Sequence, residues 1–203
     1  MNNSSHINNL IRHYKKDANI YDFNRRFFLF GRNRLIRLID DSLNPSSILE
    51  IGCGTGINLL KLHNIYPNTS ITGLDVSQEM LKVARLKSFG IKNISLINDF
   101  FDENTSLPKF DLILCSYTIS TIPNIGIFLN NIKNHLTKNG HFACVDFHST
   151  NITLFKRWIS HSIPIETHFP EHLLEGLFTV KRFEIRRAYG GVWKYFNYIG
   201  QKR

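Results

Sequence analysis

The sequence has no apolar run of about eighteen residues, the length a membrane-crossing helix needs. The opening Met1-Asn2-Asn3-Ser4-Ser5-His6, leading into Arg12 and Lys15, lacks the apolar segment of a secretory signal, so a cytoplasmic protein is expected. Cysteine is scarce. Cys53, Cys115 and Cys144 are odd in number, far apart and without a C-x-x-C pair, which suits reduced, buried thiols rather than a disulfide frame or a zinc site. No linker rich in Pro, Gly or Ser and no internal repeat divides the 203 residues, so one domain with a short appendage is expected. With 42% hydrophobic and 20% charged residues the chain can build a packed core, which argues against wholesale disorder.

Acidic charge is also sparse, and unevenly so. Of the net +9, residues 1–39 carry eight basic and two acidic side chains, residues 40–150 eight and ten, and residues 151–203 nine and four. The excess therefore lies on two flanks around a near-neutral middle. Such a field attracts an anionic partner, nucleic acid or a membrane surface.

The middle alternates short β-branched apolar runs with helical patterns. Strands are expected at Ser47–Ile51, Ser70–Leu74, Asn93–Asn98, Phe110–Cys115 and His141–Phe147, and helices at Gly56–Ile65, Ser77–Ser88 and Asn124–Leu136. Ser77 is placed to cap the second helix, with Met80, Val83 and Ala84 at helical spacing. Strands Thr179–Arg186 and Val192–Ile199 would close an antiparallel hairpin around Gly190-Gly191. The expected fold class is α/β, a doubly wound, mostly parallel, seven-stranded, Rossmann-like sheet with an antiparallel edge strand. Residues 1–45 would form a helical cap with a basic-aromatic segment, 46–150 the binding core, and 151–203 the C-terminal part of the same domain.

The sharpest motif is Glu50-Ile51-Gly52-Cys53-Gly54-Thr55-Gly56, an apolar strand running into three alternating glycines and then a helix. Glycine permits the tight turn and lets a ligand pack on bare backbone. Ile57 occupies the place of a dinucleotide fold's third glycine, which argues against a pyrophosphate cofactor. Asp75 ends the second strand, where a carboxylate can take both ribose hydroxyls, and Asp99 ends the third, where it can meet an exocyclic amine. Glycine, acid and acid on three successive strand ends make a nucleoside pocket at the topological switch point.

With those residues in place, the chain resembles the class I S-adenosylmethionine-dependent methyltransferases across about residues 46–147. The resemblance implies S-adenosyl-L-methionine as cofactor, leaving as S-adenosyl-L-homocysteine, and no metal. It places Gly52, Cys53, Gly54 and Gly56 along the methionine moiety and ribose, Glu50 at the loop or the methionine amine, and Asp75 on the ribose. Val76, Met80, Asn98, Asp99, Phe100 and Ser116 would complete the adenosine side.

The acceptor is less sharply written. At the fourth strand's end, Ser116-Tyr117-Thr118 lacks the N/D-P-P-Y/F of enzymes that methylate base amines, which makes nucleic acid an unlikely partner. The segment Tyr21-Asp22…Phe28-Leu29-Phe30-Gly31-Arg32, with Ser116–Pro123, Val145-Asp146-Phe147 and Arg187-Ala188-Tyr189-Gly190, resembles the bacterial N-methyltransferases of betaine-lipid synthesis. That resemblance implies trimethylation of the amine of diacylglyceryl-homoserine at an anionic membrane surface, by a peripheral protein on the inner face of the membrane. Phosphatidylethanolamine N-methyltransferases, quinone or small-molecule methyltransferases and RNA methyltransferases are the alternatives, as is a non-catalytic cofactor-binding module. Arginines and phenylalanines interleaved over Arg25–Ile39 fit phosphate attraction with shallow insertion, unless the apolar residues pack on the sheet. For a lipid amine, a proton must leave before attack; Tyr117, Tyr21 and His148 are the catalytic candidates, Tyr117 serving equally well as a cavity wall. His168 and His172 flank Pro170, which spoils a shared helical face for a metal.

Overall fold

The computed structural model describes residues 29–150 and 171–203. Seven strands form one sheet: β1 Ser47–Ile51, β2 Ser70–Asp75, β3 Ile94–Asn98, β4 Phe110–Ser116, β5 Leu136–Ser149, β6 Phe178–Ala188 and β7 Trp193–Lys202. Five helices accompany them: α1 Arg32–Asp40, α2 Ile57–Ile65, α3 Gln78–Lys87, α4 Ile125–His135 and α5 Glu171–Leu177. The order across the sheet is β3-β2-β1-β4-β5-β7-β6. β3, β2, β1, β4 and β5 run parallel, and β7 lies antiparallel between β5 and the edge strand β6. The expected α/β sheet is therefore present, its antiparallel edge built by the β6–β7 hairpin. The sequence order reverses beside β1, which places the ends of β1, β2 and β4 around one crevice.

Alternation along each strand sorts its side chains between two layers. Ile48, Ile71, Leu112, Leu114, Ala143 and Val145 face the layer of α1 and α2, whereas Leu49, Leu74, Ile113, Phe142 and Cys144 face that of α4 and α5. Helix starts follow their caps. Ser77 Oγ accepts the Met80 N–H and Asn124 Oδ1 accepts the Ile127 N–H, each satisfying a donor the first turn leaves open. The three cysteines are buried and unpaired.

Two expectations need correction here. Leu35, Ile36, Leu38 and Ile39 of the basic-aromatic segment are buried in the core, so none of them can insert into a membrane; residues 25–28 lie outside the described residues. His148, beyond the expected end of the fifth strand at Phe147, lies within β5, which extends to Ser149. α1 is fastened to the sheet edge by Arg34, whose Nε and Nη2 donate to the two Glu184 oxygens at 3.2 and 2.9 Å. The hairpin forms as expected, with Ala188 opposite Trp193 and positive φ at Tyr189, Gly190 and Gly191.

Candidate active site

At the end of β1, the N–H groups of Gly52 and Cys53 both donate to the Leu74 carbonyl, at 2.8 and 3.1 Å, which folds the loop across the end of β2. Gly52 has φ +73, and a Cβ there would collide with the Thr118 side chain. Thr118 is in turn held by donation from its Oγ1 to the Ile51 carbonyl at 3.2 Å. Gly54 has φ +54 and open space where a Cβ would point. Its N–H donates to Asp75 Oδ2 at 2.7 Å, while Asp75 Oδ1 accepts the Ser77 N–H at 2.8 Å. The second strand's acid thus ties the glycine loop to the start of α3. Burial pushes its pKa up, and those N–H groups oppose the shift.

Glu50 is the most deeply buried acid of the loop, 1% exposed. Asn58, the second residue of α2, donates to Glu50 Oε1 at 2.7 Å, and Oε2 has no hydrogen-bond partner among the described residues. Desolvation raises its pKa to about 8, with Asn58, then Arg32 and Lys61, working against the rise.

Two adjoining cavities open at this end of the sheet. One of about 680 Å³ is lined by Gly52, Gly54, Asp75, Val76, Met80, Phe100, Ser116 and Tyr117, together with Phe101, Thr118, Thr121, Ile122 and Phe128. The other, about 320 Å³, is lined by Leu29, Arg32, Glu50, Gly52, Cys53, Gly54, Asn58 and Ser116. They share Gly52, Gly54 and Ser116, so the glycine loop separates an acidic niche from an apolar one.

The structure gathers most of the expected residues and displaces others. Gly56 lines neither cavity; it precedes α2 at φ +77 and packs against Ala84. Asn98 lines neither, and its Nδ2 donates to the Asp75 and Val76 carbonyls at 2.9 and 3.0 Å, strapping β3 to the end of β2. Asp99 is exposed, its carboxylate turned onto the Phe100 N–H at 2.8 Å, so Phe100 and the buried Phe101 face the cavity instead. Tyr117 lines the cavity with its ring at φ +57, but its hydroxyl donates to the Phe30 carbonyl at 2.6 Å and burial holds its pKa well above the ordinary value. That placement suits a wall and a latch, not a proton acceptor. His148 pairs through Nδ1 with Ser149 Oγ at 3.0 Å and does not line the cavity. Asp146, with a pKa raised to about 6 by burial, accepts the Ser120 N–H at 3.0 Å and secures the turn Ile119–Thr121. Tyr21 and His168 lie outside the described residues.

Several lining residues are not among those the sequence singled out. Asn58 follows Glu50 by eight positions, and a helix starting at Ile57 would have exposed it as a partner. Phe101 and Phe128 come from elements whose packing no local pattern encodes, whereas Leu29, Arg32 and Ile122 belong to segments the sequence had already marked on the acceptor side.

These residues fit S-adenosyl-L-methionine. The unpartnered Glu50 oxygen can accept an α-ammonium group, Asp75 retains lone pairs for ribose hydroxyls after accepting two N–H groups, and Phe100 with Met80 and Val76 offers a flat apolar slot for adenine.

Fold and strand-end set are like those of the class I S-adenosylmethionine-dependent methyltransferases, and the residues of the two cavities would hold S-adenosyl-L-methionine as cofactor. In agreement, residues 49–142 match the family described as methyltransferase domain. Malonyl-[acyl-carrier protein] O-methyltransferase 2 of Ilyobacter polytropus is 33% identical over 132 residues, covering 64% of this chain and 50% of that protein. The malonyl-[acyl-carrier protein] O-methyltransferase of Acetivibrio thermocellus is 27% identical over 136 residues, covering 66% and 48%. The chain thus spans about half the length of these curated relatives. Among solved structures, the N-methyltransferase NodS from Bradyrhizobium japonicum in complex with S-adenosyl-L-homocysteine aligns with a TM-score of 0.76 at 17% identity, over 97% of this chain and 98% of that one. The curated relatives are named for a malonyl acceptor, so betaine-lipid synthesis stands only as a proposal about the acceptor.

Proposed function

We propose that the chain transfers the methyl group of S-adenosylmethionine to the carboxylate oxygen of an acyl group carried as a thioester, of the malonyl type named for its curated relatives. The observation that carries this reading is the chemistry of the cavity wall. Among the described residues that line it, Asp75 is the only carboxylate, there is no His or Lys, and the Tyr117 hydroxyl is already donating. A carboxylate with a pKa near 4 is a nucleophile as it stands at neutral pH, whereas an amine with a pKa of about 8 to 10 must first lose a proton. Bound S-adenosylmethionine supplies a sulfonium-borne methyl group that one displacement can transfer. The chain's part is alignment: Glu50 and Arg32 at one end, Asp75 in the middle, and the aromatic wall excluding water from the rest.

A second reading, transfer to the amine of a lipid headgroup such as diacylglyceryl-homoserine or phosphatidylethanolamine, is favoured by the excess positive charge of both flanks. Burial of the α1 apolar face removes part of its support. One experiment separates the two. The protein is incubated with methyl-labelled S-adenosylmethionine and, in parallel, malonyl thioesters, total lipid extract, quinones and RNA, and products are identified by mass spectrometry. Label in a malonyl methyl ester is the expected outcome; label confined to lipid, quinone or RNA overturns the carboxylate reading.

A further inference from the structure

The end of the molecule opposite the cavity carries an unusual pair of side chains. Phe89 is 90% exposed and Leu86 77%, the two most exposed of the large hydrophobic residues described. They are presented rigidly. α3 ends with Ser88 donating both its N–H and its Oγ to the Ala84 carbonyl, each at 2.9 Å, then turns at Gly90 with φ +81, where the Ile91 N–H closes onto the Ser88 carbonyl at 3.0 Å. The charge of this stretch is of one sign only. Residues 80–98 contain Lys82, Arg85, Lys87 and Lys92 and no acid.

We propose that this tip attaches the protein to an anionic lipid bilayer, Phe89 and Leu86 entering the interface while Lys82, Arg85 and Lys92 face lipid phosphates. Bulky apolar side chains on a short basic element are what interfacial attachment uses, and positive charge near an anionic leaflet adds to the attraction. A fluid surface also suits the shape, since the apolar residues protrude and offer a partner no groove. The tip differs from the basic-aromatic segment before β1, whose described apolar residues belong to the core. Its position has a consequence. α3 starts beside Asp75 at the cavity and its ten residues span about 15 Å, so the bilayer would sit at the far end of the domain from the transfer site. Attachment here tethers the enzyme without delivering lipids of that bilayer to the cavity, and it depends on no particular acceptor.

The full chain is titrated with vesicles of phosphatidylglycerol mixed with phosphatidylcholine, and with phosphatidylcholine alone. Binding to the anionic vesicles that weakens with salt is expected, and Phe89→Asp should lower it by roughly tenfold or more, as should Lys82→Glu with Arg85→Glu. Phe89→Trp gives a direct readout: brominated lipid should quench its fluorescence beyond the quenching of the wild-type tryptophans. Unchanged vesicle binding by Phe89→Asp, with circular dichroism confirming its fold, overturns the proposal, as does a Phe89→Trp variant whose added fluorescence lipid leaves unquenched. A dimer that Phe89→Asp converts to monomer, without vesicle binding, would assign the tip to a second copy of the chain instead.

Discussion

Asn58 donates to one oxygen of Glu50 at 2.7 Å and leaves the other oxygen buried with no partner among the described residues. An unpartnered buried acceptor costs free energy in the empty protein. Here it faces the niche that also holds Arg32, so the cost is recovered when a cationic group binds. The pair is therefore both a weak point of the ligand-free fold and its most specific polar feature.

A pH dependence follows from the sign of the Glu50 shift. The folded protein holds this proton up to about pH 8, whereas the unfolded chain releases it near 4.5. Between those values the native state binds more protons, so its stability falls as pH rises and levels off above 8. Glu50→Gln should flatten that slope and stabilise the ligand-free protein at pH 8 by an amount on the order of a few kcal/mol or less, seen as a higher melting temperature. The same variant should bind S-adenosylmethionine at least about tenfold more weakly, through loss of a charge-assisted hydrogen bond. A melting-temperature series from pH 5 to 9, with and without cofactor, checks both.

Cofactor binding should also release protons. Near pH 7 the Glu50 carboxyl is largely protonated, and an ammonium group set against it favours the carboxylate. Calorimetric enthalpies measured at pH 7 in buffers of different ionisation enthalpy should therefore differ, and the difference should vanish in Glu50→Gln.

Asp75→Ala removes the ribose acceptor and the anchor of the Gly54 N–H together. Cofactor affinity should drop by about tenfold to a hundredfold, the equivalent of one or two charge-assisted hydrogen bonds. Isothermal titration calorimetry measures it, and unchanged affinity would show the ribose assignment to be wrong.

Tyr117→Phe keeps the ring that walls the cavity and deletes the bond to the Phe30 carbonyl. A stability loss of about 1 kcal/mol is expected, with the pH profile of methyl transfer unchanged. A profile that loses the rising limb on its acid side would instead identify the hydroxyl as a proton acceptor.

Gly52→Ala meets two obstacles at once, a φ of +73 and the Thr118 side chain in the space its Cβ would need. Loss of cofactor binding with destabilisation of about 1–3 kcal/mol is expected. Gly54→Ala, at similar φ but with open space beside it, should fold better and fail chiefly in binding. Parallel melting and titration curves of the two variants provide the comparison.

The β–α alternation was legible because periodicity is a local property: an apolar strand such as Ser47–Ile51 and a capped helix such as α3 are written in consecutive residues. The strand-end set of glycines and acids was legible for the same reason, because each follows an apolar run that had already been read. By itself the sequence determined the strands, the turn at Gly52 to Gly56, the acids Glu50 and Asp75 near the ends of β1 and β2, and hence the class of the domain. Only the tertiary structure decided which way each side chain was turned. It aimed Asp99 at its own backbone and not at the cavity, bound the Tyr117 hydroxyl to a carbonyl 87 residues away, and buried the apolar face of α1 beneath its arginines. Those outcomes depend on contacts between distant segments competing for the same donors and the same apolar surface, and no window of neighbouring residues contains that competition.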